Sequence, residues 1–196
     1  MKSGKKYINK FDEKDILTSG IQSNSISIWL DDYDDLFSDF DPRNYGYRNI
    51  SDDFLFELKK MSVDLSHSAD SIILMLPANK RNLALEKKII LRLRSYLRDN
   101  YLERKLELNF AKKKSLLFLF IGFILIFISG YISKYQTSIL YVRIIFVLTE
   151  PSGWYFAWTG FENYFLETQA KLKTVVTFKK LANAKVIFLD TINYGD

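Results

Sequence analysis

The hydrophobic and polar positions divide the chain into an apolar middle and two mixed flanks. Residues Ser115–Ser133, SLLFLFIGFILIFISGYIS, hold no charged side chain, and Lys112–Lys114 come directly before them. At about 1.5 Å per residue, a helix of this length crosses a hydrocarbon core about 30 Å thick. A chain of 196 residues offers few layers to surround such a helix in a soluble core. The pattern therefore predicts a membrane-spanning helix.

A second apolar segment follows after a short polar stretch. It covers Ile144–Phe161, IIFVLTEPSGWYFAWTGF, begins after Arg143 and contains one charged residue, Glu150. Gly130–Ile139 is predicted to form the turn between the two segments. Together they predict a two-helix transmembrane hairpin at residues 112–161.

Two residues in the second segment are unusual for a span. A carboxylate such as Glu150 costs roughly 2.5–3.5 kcal/mol in a span and usually faces a bundle interior, a partner or water. Pro151 removes a helical hydrogen bond and predicts a kink or free carbonyls. Either Glu150 lines an oligomer seam or pore, or it lies at the outer interface of a short or re-entrant span.

Three sets of residues are candidates for membrane function. The residues predicted to shape the membrane assembly are Arg143, Glu150, Pro151, Gly153, Trp154 and Trp158. The lysines predicted to anchor the first span at the interface are Lys112, Lys113 and Lys114. The small residues predicted to allow close helix approach are Gly122, Ser129, Gly130, Gly153 and Gly160.

The flanks carry the patterns of strands and helices. Three runs predict strands: Ser25–Leu30, Ser71–Leu76 and Ala184–Asp190. The second run is apolar enough to be the central strand. Ser51 is predicted to cap a helix with its apolar side at Phe54, Leu55, Leu58 and Met61. A longer helix is predicted from Lys80, with Ile90, Leu93, Leu97 and Tyr101 on its apolar face. No Gly or Pro interrupts Asn79–Ile121, so this helix is expected to run unbroken into the first span.

These elements predict an α+β cytoplasmic domain with about three strands and a long helix, into which the transmembrane hairpin is inserted. The predicted division is a flexible arm at 1–24, the α+β domain at 25–111, the hairpin at 112–161, and a C-terminal helix and strand at 162–196. The last segment is expected to complete the α+β domain by returning its strand to the sheet.

The distribution of Lys and Arg predicts how the chain is oriented in the membrane. Lys and Arg are frequent in 98–114 and 171–185, whereas the predicted turn region holds Lys134 and Arg143. Because basic residues favour the cytoplasmic side, both termini of the two-pass chain are expected in the cytoplasm. The first fifteen residues lack the apolar core of a signal peptide. The net charge of +5 suits an anionic lipid surface, and nucleic acid requires more assumptions.

Composition narrows the possible chemistry. The chain has no cysteine, so disulfides and thiolate catalysis are excluded. Its one histidine, His67, is expected in a surface loop and argues against a histidine metal site or a Ser-His-Asp triad. No catalytic residue and no cofactor is predicted.

The acidic loop, Asp31–Arg43, is the candidate for binding chemistry. Its six carboxylates are Asp31, Asp32, Asp34, Asp35, Asp39 and Asp41. Hard cations favour such ligands, although the spacing lacks the glycine and closing glutamate of an EF-hand. Three interpretations stay open: helix capping with ion pairs to Arg43 and Arg48, a partner-binding surface at Asp39, Asp41 and Arg43, or a metal site.

Three motifs carry a resemblance. Asp39–Arg43 reads DFDPR, Ser51–Leu55 reads SDDFL, and Gly153–Phe161 reads GWYFAWTGF. In these motifs the chain resembles a small bacterial family of two-span membrane proteins with a cytoplasmic α+β part. In architecture it also resembles, more loosely, two-span effectors encoded beside retron or other anti-phage modules. The resemblance implies a multi-pass protein of the bacterial inner membrane without assigned catalytic residues.

Three functions are compatible with these features. The first is a cytoplasmic sensing or docking domain coupled to an oligomerising membrane hairpin, which in a defence setting would perturb the membrane. The second is a membrane anchor that recruits a cytoplasmic protein through the acidic loop. The third is a metal-dependent enzyme that uses the Asp31–Asp41 carboxylates.

Overall fold

The fold is given by a computed structural model, which describes residues 24–65, 69–134 and 139–191. The predicted arm, apart from Asn24, and His67 lie outside these ranges. The strands are β1 (Ser25–Trp29), β2 (Ser71–Pro77) and β3 (Lys185–Thr191). The helices are α1 (Asp52–Asp64), α2 (Leu83–Lys134), α3 (Leu140–Glu162) and α4 (Thr168–Asn183). Two short 3-10 helices cover Tyr33–Leu36 and Ala78–Lys80, and a π-helical segment covers Asn163–Glu167.

The chain forms two compact units. One consists of Met1–Asp99 with Thr177–Asp196, and the other of Asn100–Val176. The first contains the strands and α1, and the second contains α3. Helices α2 and α4 each contribute to both units.

The first unit is built on a three-stranded parallel sheet in the order β1-β2-β3. Ser71 of β2 is in register with Ser25 of β1 and with Lys185 of β3. The three predicted strands and the central place of the second are confirmed. The expected α+β class is corrected to α/β, because every strand pair is parallel and joined by a helical crossover. The C-terminal strand does return to the sheet, where it pairs with β2.

The core of the first unit lies on the apolar strands and the helices that cover them. β2 is buried along most of its length, as expected for a strand covered on both faces. The fully or almost fully buried side chains include Ile26, Leu58, Ile72, Leu74, Leu76, Ile89, Leu93, Leu97 and Leu181. On α2 the buried apolar face begins at Ile89 rather than the predicted Ile90, which is half-buried, as is Tyr101.

The helix starts differ in part from the prediction. Ser51 is the N-cap residue of α1, yet its side chain makes no capping hydrogen bond. Asn82 has this role before α2, because its Oδ1 accepts from the backbone N–H groups of Ala84 and Leu85 at 3.0 and 3.2 Å. The capping chemistry is therefore at α2, the longer helix.

The second unit consists of helical segments. The predicted continuity of α2 is confirmed, since it extends without a break for 52 residues. The predicted turn begins too early, because α2 passes through Gly130 and continues to Lys134. One glycine costs a helix about 1 kcal/mol, which does not end a helix of this length. Pro151 lies inside α3, where the hydroxyls of Thr149 and Ser152 donate to carbonyls of the preceding turn.

Candidate functional site

Carboxylates at the start of the acidic loop hold its first turn. Asp32 Oδ1 accepts from the backbone N–H of Tyr33 at 2.6 Å. Asp35 Oδ2 accepts from the backbone N–H groups of Asp31 and Asp32 at 2.7 and 3.0 Å. This reciprocal arrangement is a capping box on the 3-10 helix. The lone pairs of these carboxylates therefore stabilise the loop itself.

Three carboxylates of the acidic loop, those of Asp34, Asp39 and Asp41, pair with two arginines. Arg48 Nη1 lies 2.6 Å from Asp34 Oδ1, which also accepts from the hydroxyl of Tyr45 at 3.0 Å. A longer contact of 3.9 Å joins Arg48 to Asp39, whose side chain is almost fully exposed. The guanidinium of Arg48 therefore ties the start of the loop to its later part.

Asp41 is the most buried carboxylate of the loop, with 8% of its surface exposed. Arg43 donates to it through Nε and Nη2 at 2.8 and 2.6 Å, and the backbone N–H of Asn49 donates at 2.7 Å. The hydrogen bonds from Arg43, followed by those from backbone N–H groups, hold the pKa of Asp41 well below its usual range. Asp41 is thus a charged structural residue at neutral pH.

These contacts test two of the three interpretations of the acidic loop, namely capping with ion pairs and a metal site. Capping and ion pairing with Arg43 and Arg48 are confirmed. Within the described ranges, no three Asp, Glu, His or Cys residues form a group that could hold a metal ion. Of the residues predicted to bind a partner, Asp39 and Arg43 are exposed, and Phe40 between them is 97% exposed. Partner binding itself stays a prediction.

A second cluster, which sequence reasoning missed, lies at the carboxyl edge of the sheet. We call it the ionic clamp; its members are Tyr33, Arg81, Glu86 and Asp190. Arg81 donates to both oxygens of Glu86 at 2.8 and 2.9 Å and to Asp190 at 2.6 Å. Tyr33 donates to Glu86 at 3.0 Å and accepts from the backbone N–H of Asn82 at 2.8 Å. The clamp joins the acidic loop, the first turn of α2 and β3.

Electrostatics fix the charge states in the ionic clamp. Hydrogen bonds donated by Arg81 lower the pKa of Glu86, and the same donation to the carboxylates of Glu86 and Asp190 raises the pKa of Arg81. Burial raises the pKa of Tyr33, which stays a neutral hydroxyl donor. Open parallel sheets commonly bind ligands at this edge, but here Glu86 is 95% buried and fully engaged. The clamp therefore fixes the start of α2 to the sheet rather than offering a free acid or base.

Helices α2 and α3 approach each other through glycines. A Cβ atom at Gly122 would lie 2.4 Å from the backbone nitrogen of Ala157. At Gly153 it would lie 2.9 Å from the backbone nitrogen of Ile126, and at Gly160 it would lie 2.6 Å from that of Leu119. Partner numbers fall along α3 as they rise along α2, so the helices are antiparallel. We call these segments, 115–129 and 153–160, the helix pair.

The helix pair buries small residues and exposes large apolar ones, which is the reverse of the distribution in a soluble protein. Its buried face contains Ser115, Gly122, Ser129, Gly153 and Gly160. Its large apolar side chains are exposed instead: Leu116, Leu117, Phe120, Phe123, Ile124, Phe127, Ile128, Trp154, Tyr155 and Trp158. In the described part of the chain, α2 is the one helix long and apolar enough to cross a membrane. Only 17% of its most apolar eighteen-residue window is buried.

The structure separates the predicted membrane residues into two groups. Gly153 lies inside the helix pair, whereas Arg143, Glu150, Pro151, Trp154 and Trp158 are exposed on α3. No ion pair between Arg143 and Glu150 is found among the described residues. Lys113 and Lys114 are exposed and Lys112 is half-buried. The predicted close approach at Gly130 is wrong within the described part of the chain, since a Cβ there meets no described atom within 4 Å.

Substitutions of two glycines on α2 are predicted to have opposite effects. Gly122→Ala places a methyl group against the backbone of Ala157 and should lower the free energy of unfolding by about 1–3 kcal/mol. The matched control, Gly130→Ala, adds its methyl to open space and should raise it by up to about 1 kcal/mol. Denaturation in detergent micelles, followed by circular dichroism, measures both. Equal effects of the two substitutions would contradict the close approach.

Asp41 is predicted to make the free energy of unfolding depend on pH in the acidic range. Since its folded pKa is lowered, its contribution is present above the unfolded pKa of about 3.9 and is lost as pH falls through the folded value. Asp41→Asn should therefore be less stable than wild type at about pH 5, and the gap should narrow below about pH 4. Urea midpoints at several pH values test this. Asp39→Asn, which alters an exposed carboxylate, should keep the wild-type profile; a constant gap for Asp41→Asn would refute the prediction.

No family model, no curated protein and no solved structure that was compared matches the chain. The resemblance to two-span membrane proteins stays a prediction that rests on the sequence motifs.

Proposed function

We propose that the chain is a two-pass protein of the bacterial inner membrane that couples a cytoplasmic docking unit to a helical hairpin in lipid. The observation that carries the proposal is the packing of the helix pair, which buries glycine and serine and exposes phenylalanine, leucine, isoleucine and tryptophan. In lipid, helices associate through small residues because large apolar side chains are already solvated by acyl chains. In water, the same surface would be an apolar patch far larger than monomers tolerate.

The two helices differ in how strongly composition alone supports a span. α2 meets the requirement of length and hydropathy, with a mean hydropathy of 2.5 over its most apolar window. α3 contains Glu150 and Pro151 and has aromatic rather than aliphatic residues in its second half. Its 23 residues are about 35 Å long, which is enough to cross a hydrocarbon core. Because Gly153 and Gly160 pack on the apolar part of α2, α3 belongs in the same layer as that part.

Charge supports the orientation. Lys112–Lys114 precede the apolar part of α2, and Lys171, Lys173, Lys179 and Lys180 follow α3 along the chain. The segment between the helices is short and less basic. By the positive-inside rule, the first unit and both termini are in the cytoplasm.

Docking is assigned to the tip of the acidic loop. Asp39, Phe40 and Arg43 are exposed there. The Arg43–Asp41 pair and the Arg48–Asp34 pair hold the backbone of the loop at this tip. An exposed aromatic side chain between charged ones is typical of a partner-binding surface. The ionic clamp fixes the sheet to the first turn of α2, and α2 continues without interruption into the apolar segment. Contacts at the sheet can therefore bias the same helix that enters the membrane.

Fractionation and topology reporters test the proposal. After alkaline carbonate extraction, the chain should remain in the membrane pellet. Alkaline phosphatase fused at Asp196 should be inactive because it stays in the cytoplasm, whereas green fluorescent protein at the same position should fluoresce. Recovery in the carbonate supernatant would refute membrane insertion. An active phosphatase at Asp196 in pelleted protein would refute the second span but not the first.

A further inference from the structure

We propose that α2 carries a second interface, a parallel homodimer seam on the face directed away from α3. The seam residues are Leu106, Phe110, Lys113, Leu117, Phe120, Ile124 and Phe127. We call this set the outward stripe. The inference rests on the proposed membrane insertion, because a shared membrane fixes the direction and depth of both copies.

The spacing of the outward stripe is that of a helix–helix seam. From Leu106 to Phe127 the intervals are four, three, four, three, four and three residues. A repeat averaging 3.5 residues keeps a line of side chains facing one partner along the length of a left-handed helix pair. All seven side chains are exposed, and the apolar ones are between 42% and 77% exposed. The stripe is therefore regular and not covered by the described residues of its own chain.

The opposite face of α2 shows how the same repeat is used within the chain. Leu108, Ser115, Gly122 and Ser129 recur every seven residues and are buried. The last three belong to the helix pair with α3. α2 therefore has a seven-residue repeat on two opposite faces, of which one is filled by α3 and the other is exposed.

Lipid alone does not account for the first part of the outward stripe. Leu106 and Phe110 precede Lys112–Lys114, the residues assigned to the interface, and each is 70% exposed. Leu106 lies seven residues before Lys113, which is about 10 Å along a helix and therefore on the aqueous side. Acyl chains do not reach that depth, and water leaves both side chains without cover. A partner that covers the whole outward stripe must therefore extend along α2 from water into lipid.

A second copy of α2 meets this requirement. It crosses from water into lipid as a single helix, and its own stripe has the same composition and length. Two copies in one membrane have the same orientation, so a two-fold axis along the membrane normal brings each stripe residue to the depth of its equivalent. The two Lys113 ammonium groups then lie at headgroup level, where anionic phosphates surround them and their stems cover apolar surface.

Cysteine cross-linking tests the seam directly, because the natural chain has no cysteine. Single-cysteine versions of the full chain carry Phe110→Cys, Leu117→Cys or Ile124→Cys on the outward stripe. The matched control is Lys105→Cys, an exposed position on another face of α2, and Trp154→Cys reports on the exposed face of α3. Copper–phenanthroline oxidation in native membranes should give several-fold more disulfide dimer at the three stripe positions than at Lys105 or Trp154.

The outcomes separate the seam from the membrane proposal. Membrane-retained protein with equal dimer yields at Phe110→Cys and Lys105→Cys would overturn the seam. A dominant dimer at Trp154→Cys would also overturn it and would assign assembly to the face of α3 that carries Glu150. Recovery of the variants in the carbonate supernatant would refute membrane insertion, whichever positions cross-link.

Discussion

The contact on which the structure depends is the glycine-mediated approach of α2 and α3. At Gly122, Gly153 and Gly160 the two backbones are so close that any side chain would collide with the partner helix. This contact turns the small residues inward and leaves the large apolar side chains facing outward. The free-energy gain of such packing comes from van der Waals contact and not from the removal of apolar surface from water. This arrangement is the reason for our proposal that lipid is the solvent of the helix pair.

The second constraint is the ionic clamp at the carboxyl edge of the sheet. Arg81 is held between Glu86, which is buried, and Asp190, which is exposed, and Tyr33 of the acidic loop donates to Glu86. The first turn of α2, the acidic loop and β3 are therefore joined through one guanidinium and one buried carboxylate. Removing one partner of a buried pair leaves an uncompensated charge, which usually costs about 3–5 kcal/mol. The edge that often binds ligands in parallel sheets is here used for rigidity. This explains why a sheet of only three strands can hold the end of a 52-residue helix.

Local patterns in the sequence predicted the helices and strands well, but not which of them contact each other. The strands follow from periodicity, and the long helix follows from the absence of Gly and Pro. The ion pairs of Arg43 and Arg48 with carboxylates of the acidic loop follow from the neighbouring charges in the sequence. The parallel order did not follow, because strand direction depends on crossovers that alternation does not encode. The ionic clamp joins Arg81 to Asp190, which is 109 residues away, and no local signal marks such a pair. Likewise, Gly122 and Gly130 look alike in sequence, and only the position of α3 distinguishes them.

The depth of Trp154 in the bilayer tests the central claim most directly. A variant with Trp29→Phe and Trp158→Phe retains Trp154 as its one tryptophan, three residues from the middle of α3. In vesicles, lipids brominated deep in the acyl chain should quench its fluorescence more strongly than lipids brominated near the headgroup. The emission should also be blue-shifted from that of an indole in water. A water-like emission that neither lipid quenches would contradict the location of the helix pair in lipid.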